Sequence, residues 1–136
     1  MGAWPASEAL HVSAHHVGIA YALTGLLRAV PFHAGAGRSY IPQEFVAADA
    51  GLRDGAGLRR AVEAIAAAAD GHLWQARQST GAVPWAALPA LLPAIVAERA
   101  LVRLRRADWN PFDPSVAVPD PLLTWRLAAA MLRRRF

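Results

Sequence analysis

The chain has 136 residues, of which 55% are hydrophobic, and a net charge of +4; this composition supports one folded core and excludes a disordered chain. It has no cysteine, so structural disulfides and thiolate metal sites are excluded. All fourteen basic residues are arginines, and they are spread along the chain. This distribution favours arginines at solvated helix ends over a patch that binds phosphates, so no nucleic-acid partner is predicted.

The first predicted element is a long helix. Ser7 is a suitable N-cap, and Glu8 lies in the first turn. The helix is predicted to run to about Val30, where Pro31 ends it. A turn-rich segment, residues 33–42, follows.

Two further helices are predicted in the middle of the chain. A short one starts at Pro42 and stops before Gly51, because proline suits a first turn and glycine a helix end. The next is capped by Asp54 and ends before Gly81. Its alanine run, 66–69, is interpreted as ordinary helix filler. The apolar residues that recur at helical spacing are Leu58, Val62, Ile65, Ala69, Leu73 and Ala76.

The fourth predicted helix begins among Pro84, Pro89 and Pro93 and ends before Asp108. Residues 108–114 are predicted to form successive turns held by two aromatic side chains. The residues expected to point from this helix toward the core are Leu88, Leu92, Ile95 or Val96, and Val102.

A last helix is predicted to start with Asp120 as N-cap and Pro121 as first residue. Its apolar face carries Leu123, Leu127 and Met131. No segment alternates convincingly like a β-strand, so the expected class is all-α, with residues 1–136 as one domain.

The longest uncharged run, residues 78–97, contains three prolines. Proline disfavours a membrane-spanning helix, so no transmembrane segment is predicted. A soluble or membrane-peripheral protein is expected.

Four small residues on the first helix, Gly18, Ala22, Gly25 and Ala29, lie three or four positions apart and therefore share one face. Two interpretations are open. Another helix approaches closely at this face, or the face borders a cavity for an apolar ligand.

Other chemistry-bearing patterns are weak. Glu8, His11 and His15 share a helical face, for which a solvated polar surface is the default interpretation and a metal site the alternative. His72 is expected to be a packed core or boundary residue. The chain has no Gly-x-Ser-x-Gly elbow and no P-loop, so hydrolase and nucleotide-binding functions are disfavoured.

Residues 22–33 and 37–42 resemble the second aspartate-rich motif of the squalene/phytoene synthase family, with its aspartates replaced. Ala29 stands at the first aspartate, and Phe32 and His33 stand at the acidic pair. The run from Leu23 to His33 is similar to the degenerate branch of the family that contains the mitochondrial complex I assembly factor. Further segments that resemble the C-terminal half of the family are residues 72–77, 88–94, 101–106, 110–112 and 125–128.

The resemblance implies a helical bundle equivalent to the C-terminal half of an isoprenoid synthase fold. The family's upstream helices are not found in these 136 residues, so a partial domain with an uncovered apolar face is expected. The resemblance further implies a non-catalytic protein that binds a prenyl or other apolar ligand, or a partner protein, in a role like complex I assembly. The substrate-binding residues implied are Gly18, Tyr21, Ala22, Gly25, Arg28, Ala29, His33, Arg38 and Tyr40.

Self-association is a further expectation, and the implied location is the bacterial cytoplasm, with peripheral contact to the inner membrane. No cofactor is expected, because magnesium is held by several carboxylates and no two acidic residues here lie three or four positions apart. The alternative is a magnesium-dependent head-to-head prenyltransferase whose remaining half supplies the missing ligands.

Overall fold

The structure, a computed structural model, describes residues 5–38 and 55–133. These ranges contain no β-strand, so the predicted all-α class is confirmed. Two 3₁₀ helices, Thr80–Ala82 and Trp85–Leu91, connect the second and third α-helices. The described ranges contain five α-helices: α1 (Pro5–Gly35), α2 (Ala56–Gln78), α3 (Pro93–Arg106), α4 (Pro114–Ala117) and α5 (Leu123–Arg133).

Helix α1 is longer than predicted at both ends. It begins at Pro5, so Ser7 is not its N-cap, and it continues through Pro31 to Gly35. Pro31 has no N–H to donate to the Leu27 carbonyl, which costs one helical hydrogen bond. The buried side chains of Leu27 and Val30 hold this turn against the core, and the helix therefore continues.

The end of α1 is set by glycine. Gly37 has φ +69°, the left-handed conformation that glycine adopts without steric cost. The N–H of Arg38 donates to the His33 carbonyl (2.8 Å) and that of Gly37 to the Ala34 carbonyl (3.2 Å). This pair of bonds is a Schellman motif. His33 to Gly35 thus belong to the helix and not to the predicted turn segment.

The core lies where α2 and α3 pack on one side of α1. Ser13 in this interface is fully buried, and its Oγ donates to the Ala76 carbonyl of α2 (3.0 Å). The α1 residues buried here are Ser13, Val17, Ala20, Thr24, Leu27 and Val30. Their α2 counterparts are Leu58, Ala61, Val62, Ala66, Ala69, Leu73 and Ala76. The predicted α2 face is confirmed except for Ile65, which is half-buried.

The alanine run of α2 is more than filler. Ala66 and Ala69 are completely buried, whereas Ala67 and Ala68 are exposed. A methyl side chain lets two helix backbones approach closely, so Ala66 and Ala69 are interface residues.

The start of α2 differs from the prediction. Its N-cap is Gly55, which makes no side-chain capping bond. Asp54, the predicted cap, lies outside the described residues, as do the predicted helix 42–50 and Gly51.

Helix α3 starts at the last of the three prolines, Pro93. The predicted inward face is only partly right. Leu88 and Ile95 are buried, whereas Leu92, Val96 and Val102 are half-buried. The side chains that reach the centre of the core are Leu91, Leu101 and Leu104. The physical reason is the 3₁₀ segment, whose three residues per turn shift the register of the apolar face.

The corner after α3 confirms the predicted turns. Asp108 and Trp109 have φ values of 50° and 58°, an uncommon left-handed conformation for residues other than glycine. Arg59 of α2 bonds to Asp108 (Nη1 to Oδ2, 2.5 Å), and the Arg105 guanidinium lies 5.7 Å from the Trp109 ring centroid. Trp109 and Phe112 are the two aromatics packed against the core.

Helix α5 lies on the surface and contacts α3. None of its residues is buried, and the predicted inward residues Leu123, Leu127 and Met131 are all half-buried. The prediction that Asp120 is its N-cap and Pro121 its first residue is wrong, because the helix starts at Leu123. Asp120 instead accepts from the Leu122 N–H (3.0 Å) and closes the turn before the helix.

Candidate functional site

The small-residue face of α1 points away from the core. We call Gly18, Ala22, Gly25 and Ala29 the outer face of α1. The first three are exposed and Ala29 is half-buried. At 100° per residue, this face lies nearly opposite the stripe that packs against α2 and α3. A Cβ built on Gly18 or Gly25 meets no atom of residues 5–38 or 55–133 within 4 Å. No described helix therefore packs on the outer face.

Tyr21 and Arg28 lie on one flank of the outer face. The Tyr21 side chain is half exposed, and its backbone carbonyl accepts from Thr24 Oγ1 (3.0 Å). Arg28 lines a groove of about 220 Å³ together with Arg99 and Arg103 of α3. Asp120 also lines the groove and pairs with Arg99, so the net positive charge comes from Arg28 and Arg103; such a charge suits an anion. Arg103 donates from there to the Val118 carbonyl.

His33 and Arg38 lie at the C-terminal end of α1. His33 is half-buried and contacts the exposed Phe32 ring edge to face, with 5.7 Å between centroids. Arg38 is exposed and is tied by its backbone N–H to the His33 carbonyl. Tyr40, the last residue of the predicted set, lies outside the described residues.

Ala29 of the outer face and His33, one turn further along α1, stand where the family that the sequence resembles has metal ligands. Ala29 and His33 are four apart on α1 and share a side of the helix. Neither has a carboxylate. Within residues 5–38 and 55–133, no three histidine, aspartate or glutamate side chains are grouped closely enough to hold a metal ion. This part of the chain offers guanidinium groups for an anion, but no ligand set for magnesium.

The predicted polar surface of α1 is accompanied by an unpredicted histidine pair. Glu8, His11 and His15 are exposed. His16, one residue on, lies with its Nδ1 atom 2.8 Å from Nδ1 of His72 on α2. Burial, followed by the nearby His72 and His15 rings, lowers the pKa of His16. The sequence around each histidine does indicate a position near the helix interface. His16 lies between buried Ser13 and Ala20, and His72 lies between buried Ala69 and Ala76.

A second groove, of about 710 Å³, lies between α3 and α5 and was not predicted. Its apolar floor includes Ile95, Val102 and Ala129. Its charged residues are Arg77, Glu98, Arg99, Arg126 and Arg133. Arg77 pairs with Glu98 at 3.2 Å, so part of the positive charge is compensated.

Asp120 connects the two helices that border this groove. Its Oδ2 accepts from Arg99 Nε of α3 (3.1 Å) and forms an ion pair with Arg126 Nε of α5 (3.2 Å). The Asp120 side chain is only 8% exposed. The Leu122 N–H lowers the pKa of this carboxyl group most, and Arg126 and Arg99 add to the effect.

Two segments are long and apolar enough to cross a membrane, by length and composition alone: Ala6–Gly35 and Trp85–Arg106. In the structure 28% and 39% of the respective apolar windows are buried. The core helix of a folded domain passes the same criterion.

Comparison with known proteins gives one family and one group of relatives. The squalene/phytoene synthase family matches residues 1–133. The chain is similar to "NADH dehydrogenase (ubiquinone) complex I, assembly factor 6", with 31% identity over 132 residues in Rattus norvegicus and 29% over 131 residues in Homo sapiens. The homolog from Dictyostelium discoideum is 30% identical over 125 residues. No solved structure matches the chain.

These alignments cover most of the chain but a minor part of each relative. The rat and human alignments cover 91% of the chain and 39% of the relative, and the Dictyostelium alignment covers 84% and 34%. The chain therefore spans less than half the length of these relatives.

Proposed function

This chain belongs to the squalene/phytoene synthase family, and we propose that it is a non-catalytic binding protein with a role like that of a complex I assembly factor. Its outer face on α1 holds an apolar segment of a partner protein. The relatives named as assembly factors support the role.

The observation that carries this proposal is the open outer face of α1. No atom of the residues that the structure describes lies within 4 Å of a Cβ at Gly18 or Gly25, although α1 is apolar over most of its length. Small residues at four-, three- and four-residue spacing let a second helix backbone approach closely, which maximises van der Waals contact. Helix-in-groove recognition uses the same spacing of contacts.

The chemistry at Ala29 and His33 argues for binding over catalysis. A prenyltransferase ionises an allylic diphosphate and needs magnesium to stabilise the leaving group. Alanine and histidine at these positions supply no carboxylate oxygen to magnesium. A binding role makes no such demand on these positions.

The test fills the outer face without disturbing the core. Gly18→Leu and Gly25→Leu place a large side chain where the structure has open space. Leucine also has a higher helix propensity than glycine, so neither variant should unfold more easily. Gly71→Leu is the matched control, because Gly71 is an exposed glycine on α2 with equally open surroundings.

The readout is the amount of assembled complex I, resolved on native gels, in cells whose own gene carries each variant. We expect the two α1 variants to lower it several-fold and Gly71→Leu to leave it unchanged, at equal levels of the variant proteins. Wild-type complex I in cells carrying Gly25→Leu would contradict the proposed role of this face.

A prenyl chain is the second candidate occupant of the outer face, favoured by the arginine-lined groove next to it at Arg28. An apolar chain on the face and an anionic head at Arg28 and Arg103 match the chemistry of a prenyl diphosphate. A fluorescent farnesyl diphosphate analogue is the probe. If a prenyl chain is the occupant, Gly25→Leu and Arg28→Ala should both weaken binding of the analogue. If a protein segment is the occupant, the analogue should not bind.

A further inference from the structure

The groove between α3 and α5 is bordered by one regular face of each helix. Its residues on α3 follow the i, i+3, i+4, i+7 spacing, and they are Ile95, Glu98, Arg99 and Val102. Its residues on α5 keep the same spacing, and they are Trp125, Arg126, Ala129, Ala130 and Arg133. Positions at this spacing lie on one side of a helix. Two helix faces therefore border the same space.

The face that α5 contributes has little packing of its own. No residue of α5 is buried, and Trp125 is 75% exposed although it lines the groove. An isolated helix of this length, 11 residues, is marginal in water, because most helical stability in proteins comes from packing of one face. A third helix on this face would supply packing that α3 alone does not give.

The shape of the groove favours a helix over a small molecule. Its volume is about 710 Å³, and it is open to solvent on one side. A pocket for a small molecule encloses most of its ligand, whereas an open groove between two helices accepts the ridge of side chains of a third. Amphipathic helices bind such grooves through residues at i, i+3, i+4 and i+7. Tryptophan, here Trp125, is enriched among the residues that carry binding energy at protein interfaces.

The charge of the groove selects an acidic helix. Among the described residues that line it, four are arginines and one, Glu98, is acidic. Glu98 is already paired with Arg77. Arg133 is exposed and forms no ion pair with any acidic residue that the structure describes. The groove therefore has an excess of positive charge, which attracts a carboxylate and repels a cation.

Arg126 has hydrogen-bonding capacity that Asp120 does not use. Its Nε lies 3.2 Å from Asp120 Oδ2, which also accepts from Arg99. The Nε atom is shielded from solvent, but its N–H is not aligned for a hydrogen bond to any acceptor in the described part of the chain. One carboxylate is thus divided between two guanidinium groups. A second carboxylate in the groove would bind the other donors of Arg126.

We propose that the groove between α3 and α5 binds an acidic amphipathic helix of a partner protein. Apolar side chains of that helix pack on Ile95, Val102 and Trp125. A carboxylate at its edge pairs with Arg133. The groove shares no lining residue with the outer face of α1, so this proposal does not rest on the function proposed for that face.

The experiment measures fluorescence anisotropy of two labelled model helices mixed with the full chain. Both peptides carry leucines at helical spacing and alanines elsewhere, except that the flanks of the leucine face are glutamates in one peptide and lysines in the other. We expect the glutamate peptide to bind, more weakly at high salt because salt screens the attraction, and the lysine peptide not to bind. Hydrogen exchange of the α5 amides should slow in the complex, since a covered helix opens less often.

Two pairs of variants locate the binding. Trp125→Ala and Arg133→Glu should each weaken binding of the glutamate peptide about tenfold, and Arg133→Glu should also reduce the salt dependence. Trp85→Ala and Arg106→Glu are the matched controls, because each changes an exposed residue of the same type that does not line the groove. Both controls should bind like the wild type, and circular dichroism should give equal helicity for all four variants.

Three results would overturn the proposal. The first is no binding of the glutamate peptide at about 0.5 mM. The second is equal binding of the two peptides, or equal weakening by Trp125→Ala and Trp85→Ala. The third is a dimer in light scattering that Trp125→Ala converts to a monomer, since a second copy of this chain would then occupy the groove.

Discussion

His16 of α1 and His72 of α2 face each other with their Nδ1 atoms 2.8 Å apart. The ring centroids are 5.1 Å apart. At this distance one ring nitrogen donates a proton and the other accepts it, so at least one of the two rings is neutral. Protonation of both rings would place two cations at hydrogen-bond distance between α1 and α2.

The histidine pair predicts a loss of stability in mild acid. The pKa of His16 is lowered in the fold, so the folded state binds fewer protons than the unfolded chain, whose histidines titrate near pH 6.5. The contribution of His16 is therefore complete above about pH 6.5 and falls as the pH drops below that value. Urea unfolding of the wild type at pH 7.5, 6.5 and 5.5 measures it.

His72→Gln separates this effect from other acid effects. It removes the second cation, so the variant should lose less stability than the wild type between pH 7.5 and 5.5. At pH 7.5 it should cost about 1 kcal/mol, the typical net value of one hydrogen bond. His11→Gln, at an exposed position of α1, should keep the wild-type pH dependence. Equal slopes for His72→Gln and the wild type would refute the explanation.

The α1–α2 interface should reject larger side chains at its alanines. Ala66 is fully buried there, and leucine at this position should destabilise the fold by about 1–3 kcal/mol, the usual range for overpacking. Ala67→Leu, one residue on and exposed, should change the free energy of unfolding by about 0.5 kcal/mol or less. Chemical denaturation measures both, and similar losses in the two variants would show that Ala66 does not lie in a tight interface.

Asp120 should hold α5 in place only while its carboxylate is charged. Its pKa is lowered in the fold, so its contribution is present above the unfolded value near pH 3.9 and is lost as the pH falls through the folded pKa. Asp120→Asn should lower the melting temperature at pH 7 because Arg99 and Arg126 lose their shared anion. The variant should also lose part of the wild-type decline in stability below about pH 4. Thermal melts at pH 7 and pH 3 give the comparison, and equal declines would contradict the assignment.

The chain should not release pyrophosphate from farnesyl diphosphate when magnesium is added, because Ala29 and His33 provide no carboxylate for the metal. A coupled phosphate assay with an active squalene synthase as positive control tests this. The double variant Ala29→Asp with His33→Asp places two carboxylates four apart on α1, so it should gain weak magnesium binding by calorimetry. Release by the wild-type chain would overturn the proposal that the chain is non-catalytic.

The spacing of apolar residues predicts the buried face correctly where a helix has a single apolar face. Leu58, Val62 and Leu73 recur at helical spacing, and all three are buried on α2 as predicted. In α3 the same reasoning misplaced the inward face, because the 3₁₀ turns before Pro93 shift the phase and no residue type marks that shift.

The sequence pattern does not predict which faces of the helices pack against one another. The four small residues of α1 were correctly placed on one face, but α1 is apolar on most sides, so its pattern does not say which side α2 covers. The His16–His72 contact depends on how α1 lies against α2. The buried neighbours of each histidine place it near an interface, but they do not say that the two rings meet. The sequence predicts a helix end at Pro31, because the packing of Leu27 and Val30 that offsets the lost hydrogen bond is not visible in the local sequence.

The corner at Asp108 and Trp109 limits which residues can replace this pair over evolutionary time. Each backbone lies in the left-handed region, which costs an ordinary residue about 1–2 kcal/mol and is worse for β-branched side chains. Asparagine and glycine adopt this conformation readily, but only an acidic residue at 108 keeps the ion pair with Arg59, and only an aromatic ring at 109 stacks under Arg105. Natural variation at this corner should therefore be narrow, and exchanges at 108 should occur together with exchanges at 59.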